Sequence, residues 1–319
     1  MLFLYHAAPS VCSIKVRVTL AEKDLAWDGK ILNLQRGDQF QPDYRKINPN
    51  AVVPTLIHDG GTILESTIII EYLNDAFPTR PLMPSEAFSR ATARRWMKKI
   101  DDYLHGDCAA LTFAIAFRRM LQQKTPEELE ARFASIPNPA MRERQRDAVQ
   151  RGLDAPHAAA ALCNYDKFIG EMDEALALVP YLAGEQYSLA DAAVTPYINR
   201  AAMLKLDDLW KERPGVAAWF TRMRERPSYE QGITKFLTDH ERKIFDIPAG
   251  ETWRKAKTIL EKYQRDDRSD DNDTADPGAR SYRCSVAPQL GRLQRAHSRP
   301  RSRSPALSAA ARFIALTQT

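Results

Sequence analysis

The sequence predicts an α/β domain followed by an all-α domain. Three observations predict it. Short apolar strands alternate with helices over residues 1–80, a Val53-Pro54 step leads into a hairpin and a helix, and only helical periodicity remains from Ser85 onward.

The elements follow in order. Leu2-Phe3-Leu4-Tyr5 is a short apolar strand, and Ala7 to Ser13 is a turn. Ile14, Val18 and Ala21 then mark the inner face of a helix reaching Lys23. Trp27 to Leu34 reads as a second strand, Pro42 to Ile47 as a connecting helix, and Thr55 to His58 and Thr62 to Leu64 as two more strands. Asp59-Gly60-Gly61 supplies the hairpin turn between the last two. Ser66 opens a helix whose apolar residues Ile69, Ile70 and Leu73 share one side, with Phe77 continuing the stripe and Pro78 bounding it. This is a thioredoxin-like order. Residues 86–262 carry helical patterns at Ala91–Met120, Thr125–Ser135, Ala140–Gly152, Ala155–Val179, Ser188–Leu206 and Val216–Glu225. Ser188-Leu189-Ala190-Asp191 has the form of a capping box, so Asp191 reads as a structural cap and not as a catalytic acid.

Two segments carry the functional signal. Proline at 54 has no amide hydrogen, and a cis Val53-Pro54 bond would turn the N–H and C=O of Val53 outward, free to pair with an extended ligand. Glu65-Ser66 stands at a helix start, where unpaired N–H groups attract a carboxylate, while Glu65 favours an ammonium. A carboxylate and an ammonium on one small molecule describe an amino-acid end, such as a γ-glutamyl group.

With Ser10-Val11-Cys12-Ser13-Ile14-Lys15-Val16-Arg17, Ile47-Asn48-Pro49 and Tyr187-Ser188-Leu189-Ala190-Asp191, these motifs resemble the glutathione transferase superfamily over roughly residues 1–260. Two stretches, Arg95 to Tyr103 and Ile136-Pro137-Asn138-Pro139 with its Arg-rich helix, look like the bacterial glutathione-dependent β-aryl etherase branch. The resemblance implies a glutathione-binding domain over 1–80, a substrate-binding helical domain over 86–262, a homodimer, and glutathione as co-substrate with no metal. It implies that the glutathione thiolate attacks a hydrophobic electrophile, with aryl ethers among the candidates. Asp101 or Asp102 is then placed to reach a neighbouring subunit's γ-glutamyl site.

Three residues compete to lower the thiol pKa beside a helix start. Etherase-like and beta-like patterns point to Ser13 or Cys12, zeta- and omega-like patterns to Ser10, and agreement with the etherase-like stretches favours Ser13. Cys12 reads either as a thiolate that forms a mixed disulfide with glutathione, making the protein a thiol oxidoreductase or deglutathionylase, or as a small core residue facing the sheet. A third alternative is a non-catalytic glutathione- or ligand-binding protein of the same fold. Where related sequences often carry Gln or Lys, this chain has Val52; Gln39 or Lys46 is the expected substitute contact. The hydrophobic substrate is expected between the two domains, against Tyr103, His105 and Phe113. One of Arg142, Arg144, Arg146 and Arg151 facing that crevice would favour an anionic or oxygen-rich substrate.

Cysteines at 12, 108, 163 and 284 have no metal-ligand spacing, nothing resembles a signal peptide, and no apolar run approaches the about 20 residues of a membrane span, so the cytoplasm is expected. Residues 265–319 hold ten Arg, no Lys and six Asp, a net +4 (10 − 6), leaving +1 (36 − 35) for residues 1–264. The basic balance therefore lies in this low-complexity stretch, which is expected to be a disordered tail. Its Arg-Ser tract lacks the interleaved aromatics of a stacking platform, so no nucleic-acid partner is expected.

Overall fold

A computed structural model describes residues 1–273, Pro137 and Ala249 excepted. The chain begins with strand β1 (Leu2–His6), helix α1 (Val11–Glu22) and strand β2 (Asp28–Ile31). Helix α2 (Pro42–Ile47), strands β3 (Thr55–His58) and β4 (Gly61–Ile63), and helix α3 (Ser66–Ala76) follow. The sheet order is β2-β1-β3-β4, with β2 parallel to β1 and the other pairs antiparallel. Tyr5 faces Thr55 and Phe3 faces Asp28 across the ladders. Asp59 and Gly60 both have positive φ (47° and 84°), as a tight hairpin matched to strand twist requires. The second strand is shorter than the sequence pattern suggested, because Leu32 to Leu34 leave the ladder.

Helix α1 differs from expectation in a way that matters for the site. Amphipathic spacing implied one buried face, yet residues from Ser13 through Leu20 are all buried, Lys15 and Arg17 included. The helix lies between the sheet and the helical layer and packs against α3 and two later helices. Arg17 is satisfied by backbone oxygens instead of a carboxylate. Its Nε donates to Gly232 O at 2.8 Å, and its Nη atoms donate to Ala7 O at 3.0 Å and Ala8 O at 2.9 Å. Burial lowers its pKa to about 9.

The helical part starts with α4 (Ala87–Lys99), capped by the Glu86 carboxylate, which accepts from the Phe88 and Ser89 N–H groups. It continues through a π-helical turn, Ile100–Leu104, into α5 (His105–Thr112), then through a second, Phe113–Phe117, into α6 (Arg118–Leu121). Next come α7 (Pro126–Ala134), α8 (Pro139–Arg151), α9 (Pro156–Leu176) and α10 (Leu189–Met203). The last are α11 (Pro214–Glu225), α12 (Pro227–Gly232), α13 (Asp239–Ile244) and α14 (Glu251–Asp273). Residues 265–273, assigned on sequence to a disordered tail, continue α14; the rest of that assignment lies outside the described residues.

Helix α10 is the pillar of this layer, buried from Leu189 through Ala201. Its first turn explains Asp191. The carboxylate accepts from Ser188 N–H at 2.9 Å, Leu182 N–H at 3.0 Å and Trp219 Nε1–H at 2.8 Å, all of them buried. The capping-box reading holds, and the same carboxylate also ties down α11 through Trp219.

Candidate active site

The start of α1 is built by Ser10 and Ser13. Ser10 is the N-cap, its hydroxyl oxygen accepting from Ser13 N–H at 3.2 Å and donating to no partner among the described residues. Ser13 is fully buried, and its Oγ accepts from the Ala7 N–H at 3.2 Å. The residue favoured on sequence grounds therefore supports the β1–α1 turn from inside.

Cys12 does not face the sheet. It is half-buried, with Sγ 3.5 Å from His105 Nδ1 and 3.8 Å from the Tyr197 hydroxyl; those two partners are 3.3 Å apart. Burial pushes the Cys12 thiol up, but the hydrogen bond and charge of His105, the Lys15 ammonium and the Ser66 hydroxyl outweigh it, leaving the pKa at about 6. The His105 imidazole is raised in turn by its hydrogen bond and charge pairing with Cys12. Burial keeps Tyr197 a neutral phenol and so a donor. His105 is exposed, and its Nε2 has no hydrogen-bond partner among the described residues.

A second chain of contacts runs from the same place. Buried Lys15 donates to Thr67 Oγ1 at 2.8 Å, and Thr67 donates to Asp101 Oδ1 at 2.9 Å, with Lys15 Nζ 3.6 Å from that carboxylate. Asp101 and His105 are four residues apart across the π-helical turn, and both meet the α1–α3 side. Such turns recur at functional sites because the extra residue re-aims side chains. Asp101 is thus engaged within its own chain, beside the start of α3, and Asp102 pairs with Lys98 at 2.7 Å on the surface.

The ligand-edge motif keeps its expected form. Val53-Pro54 is cis, and the Val53 backbone N–H and C=O make no hydrogen bond among the described residues. The preceding carbonyl is held: Val52 O accepts from Tyr44 Oη at 2.6 Å and Asn48 Nδ2 at 2.9 Å. Glu65 has φ of +64°, a left-handed conformation that costs a non-glycine residue energy, and its exposed carboxylate is unpaired among the described residues. Ser66 is buried at the first turn of α3.

Other sequence-chosen residues lie apart from this cluster. Tyr103 sets its ring edge-on to Phe168 at 6.5 Å. Phe113 packs on Phe117 at 5.0 Å, with Arg132 5.8 Å from its ring centre. Lys46 is exposed and paired with Asp43, and Gln39 is nearly buried with Oε1 unpartnered. Arg142 donates to Ile136 O, Arg146 to Glu130 and Arg151 to Asp147, so these arginines serve the α7–α8 region. Besides Arg17, Arg200 braces the β1–α1 turn, donating to Pro9 O and to Thr112 Oγ1. Sequence reasoning missed Tyr197 and Arg200; both sit on a helix buried all round, where no amphipathic pattern marks one face.

The N-terminal domain of glutathione S-transferases matches residues 4–81, and their C-terminal domain matches residues 140–227. The chain belongs to the glutathione S-transferase family. Protein LigF of Sphingobium sp. (strain NBRC 103272 / SYK-6) is 30% identical to this transferase over 239 residues, 73% of this chain and 93% of LigF. The tetrachloro-p-hydroquinone reductive dehalogenase of Sphingobium chlorophenolicum is 30% identical over 236 residues, 71% and 93% of the two chains. The crystal structure of the β-etherase LigF superposes with a TM-score of 0.66 at 29% identity, covering 73% of this chain and 99% of that one. This chain is therefore a glutathione-dependent transferase, with glutathione as its co-substrate. Among the described residues no His, Cys, Asp and Glu group is arranged to hold a metal, and no helix is long and apolar enough to cross a membrane.

Proposed function

We propose that this transferase uses the glutathione thiolate to displace an aryloxide or a halide from a hydrophobic aromatic substrate. Glutathione lies along Val53, with its γ-glutamyl carboxylate at the first turn of α3 beside Ser66 and its ammonium toward Glu65. Asp101 takes part from the same chain. The observation that carries the reading is the convergence of the α1 start, the α3 start and His105, where the Cys12 thiol meets both the Ser66 hydroxyl and His105 Nδ1. The β-etherase and the dehalogenase named above support the choice of leaving group.

Of the three candidate residues, the geometry favours Ser10 as the hydroxyl donor to the glutathione sulfur, since the Ser13 oxygen is occupied and buried. A second reading has its own observation. The half-buried Cys12 thiol, ionised near neutral pH, is suited to form a mixed disulfide with glutathione and to deglutathionylate substrates. Turnover of aryl ethers, aryl halides and mixed disulfides with glutathione separates them. The first reading expects aryl substrates to turn over, Ser13→Ala to remain active and Ser10→Ala to fail. Activity on mixed disulfides alone, abolished by Cys12→Ser, would establish the second reading in its place. A homodimer in the cytoplasm with a detoxifying role completes the proposal; the 57% exposed Ile68 on α3 is an apolar group a partner would cover, and light scattering of the purified chain tests the dimer.

A further inference from the structure

The start of α1 meets an acid–base group that glutathione binding by itself does not require. His105 enters from the helical layer and directs one ring nitrogen at both Cys12 Sγ (3.5 Å) and the Tyr197 hydroxyl (3.3 Å). Its other nitrogen has no partner among the described residues, on an exposed ring. Tyr197 is fully buried and edge-on to the imidazole, with ring centres 6.2 Å apart, so it fixes which nitrogen turns inward. A histidine that serves only packing would be buried or have both nitrogens paired.

We propose that His105, oriented by Tyr197, is the proton carrier of this transferase: it takes the proton of the thiol at the start of α1 and delivers it to the leaving oxygen of the electrophile. The second half rests on the aryl-ether reading above. The balance is complete without another reagent. Near neutrality the Cys12 thiolate, paired with the His105 imidazolium, accepts the glutathione S–H proton. The thiolate forms a new C–S bond as the C–O bond breaks, and the electron pair leaves on the aryloxide oxygen. The imidazolium then protonates that oxygen, giving a phenol and the thioether, and the Cys12 S–H proton passes to His105 to restore the pair. The charged and titratable groups facing His105 are Cys12 and Lys15 from α1, Tyr197 from α10 and Asp101 on its own helix. Lys15 opposes the charged imidazole, while Cys12 and Asp101 favour it.

Two measurements test this in the full-length chain. The first is the pH dependence of Cys12 alkylation by iodoacetamide, with the adduct located by mass spectrometry. The wild type should be half-ionised at about pH 6. His105→Gln should move the midpoint upward by at least about one unit, a tenfold loss of rate on the acid side. Tyr197→Phe, which keeps the buried ring, should shift the profile in the same direction by less. A profile unchanged in His105→Gln overturns the thiol half of the proposal.

The second is turnover with paired leaving groups. His105→Gln should lose about 100-fold or more on ethers of poorly acidic phenols. On 1-chloro-2,4-dinitrobenzene, whose chloride leaves without a proton, it should lose only the thiol share, about tenfold. Equal losses on both overturn proton delivery. A wild type active on the chloride but on no ether overturns the ether reading and delivery with it, and the alkylation profile still decides whether His105 carries the thiol proton.

Discussion

Ser13 and His6 show how much depends on where a single polar side chain points. Both belong to the β1–α1 region, and of the two only Ser13 was a candidate in the sequence. Ser13 instead satisfies a buried N–H, so Ser13→Ala should cost about 1–2 kcal/mol in urea unfolding and leave Cys12 alkylation unchanged. His6 is buried beside Arg17, with Nδ1 3.1 Å from the guanidinium, which requires the neutral ring as acceptor. Burial first, and the Arg17 charge second, lower its pKa from 6.5 to about 4. A histidine depressed on folding contributes stability that is complete above 6.5 and is lost as pH falls through about 4. The loss should approach about 3 kcal/mol across that window, and His6→Gln should flatten the slope of unfolding free energy against pH. Cys12 and His105 are shifted the other way, toward a charged pair near neutrality, because each is the other's nearest opposite charge.

Among the helices, α1 and α10 were legible as helices but not as neighbours, and α12 was not read from the sequence at all. Gly232, at the end of α12, lets that helix approach α1 so closely that an added Cβ would lie 2.8 Å from Val18 N and Val18 Cγ2. The Val18 backbone cannot yield, so Gly232→Ala should destabilise by about 1–3 kcal/mol and lower the melting temperature, even though alanine is the better helix former. The capping box at the start of α10 was readable because its chemistry is local, Ser188 and Asp191 standing three residues apart. Its reach to Leu182 and Trp219 was not, because those partners come from other segments. The π-helical turn Ile100–Leu104 was also invisible: its residues carry no breaker, and the insertion shows only as the common aim of Asp101 and His105.

In the proposed site, the sheet layer supplies the glutathione edge, and α5 and α10 supply the groups opposite the sulfur. Neither makes the site alone. The C-terminal helix is anchored early, through buried Ala256 and Leu260 and half-buried Trp253. Truncation after Gln264 retains all three, so kcat and KM should match the full-length protein; a large fall in turnover would show that later residues contribute to the site.

Sequence by itself determined the two-part architecture, the Val53-Pro54 edge, the Glu65-Ser66 helix start and the structural role of Asp191. Each is written in residues close together in the chain, where proline geometry, helix capping and apolar periodicity act locally. Only the tertiary structure separated the surroundings of Ser10, Cys12 and Ser13, burying Ser13 and bringing Tyr197 and His105 to the Cys12 thiol. Those choices depend on which face of α1 meets the helical layer, and a helix buried on every side carries no periodic signal to say so.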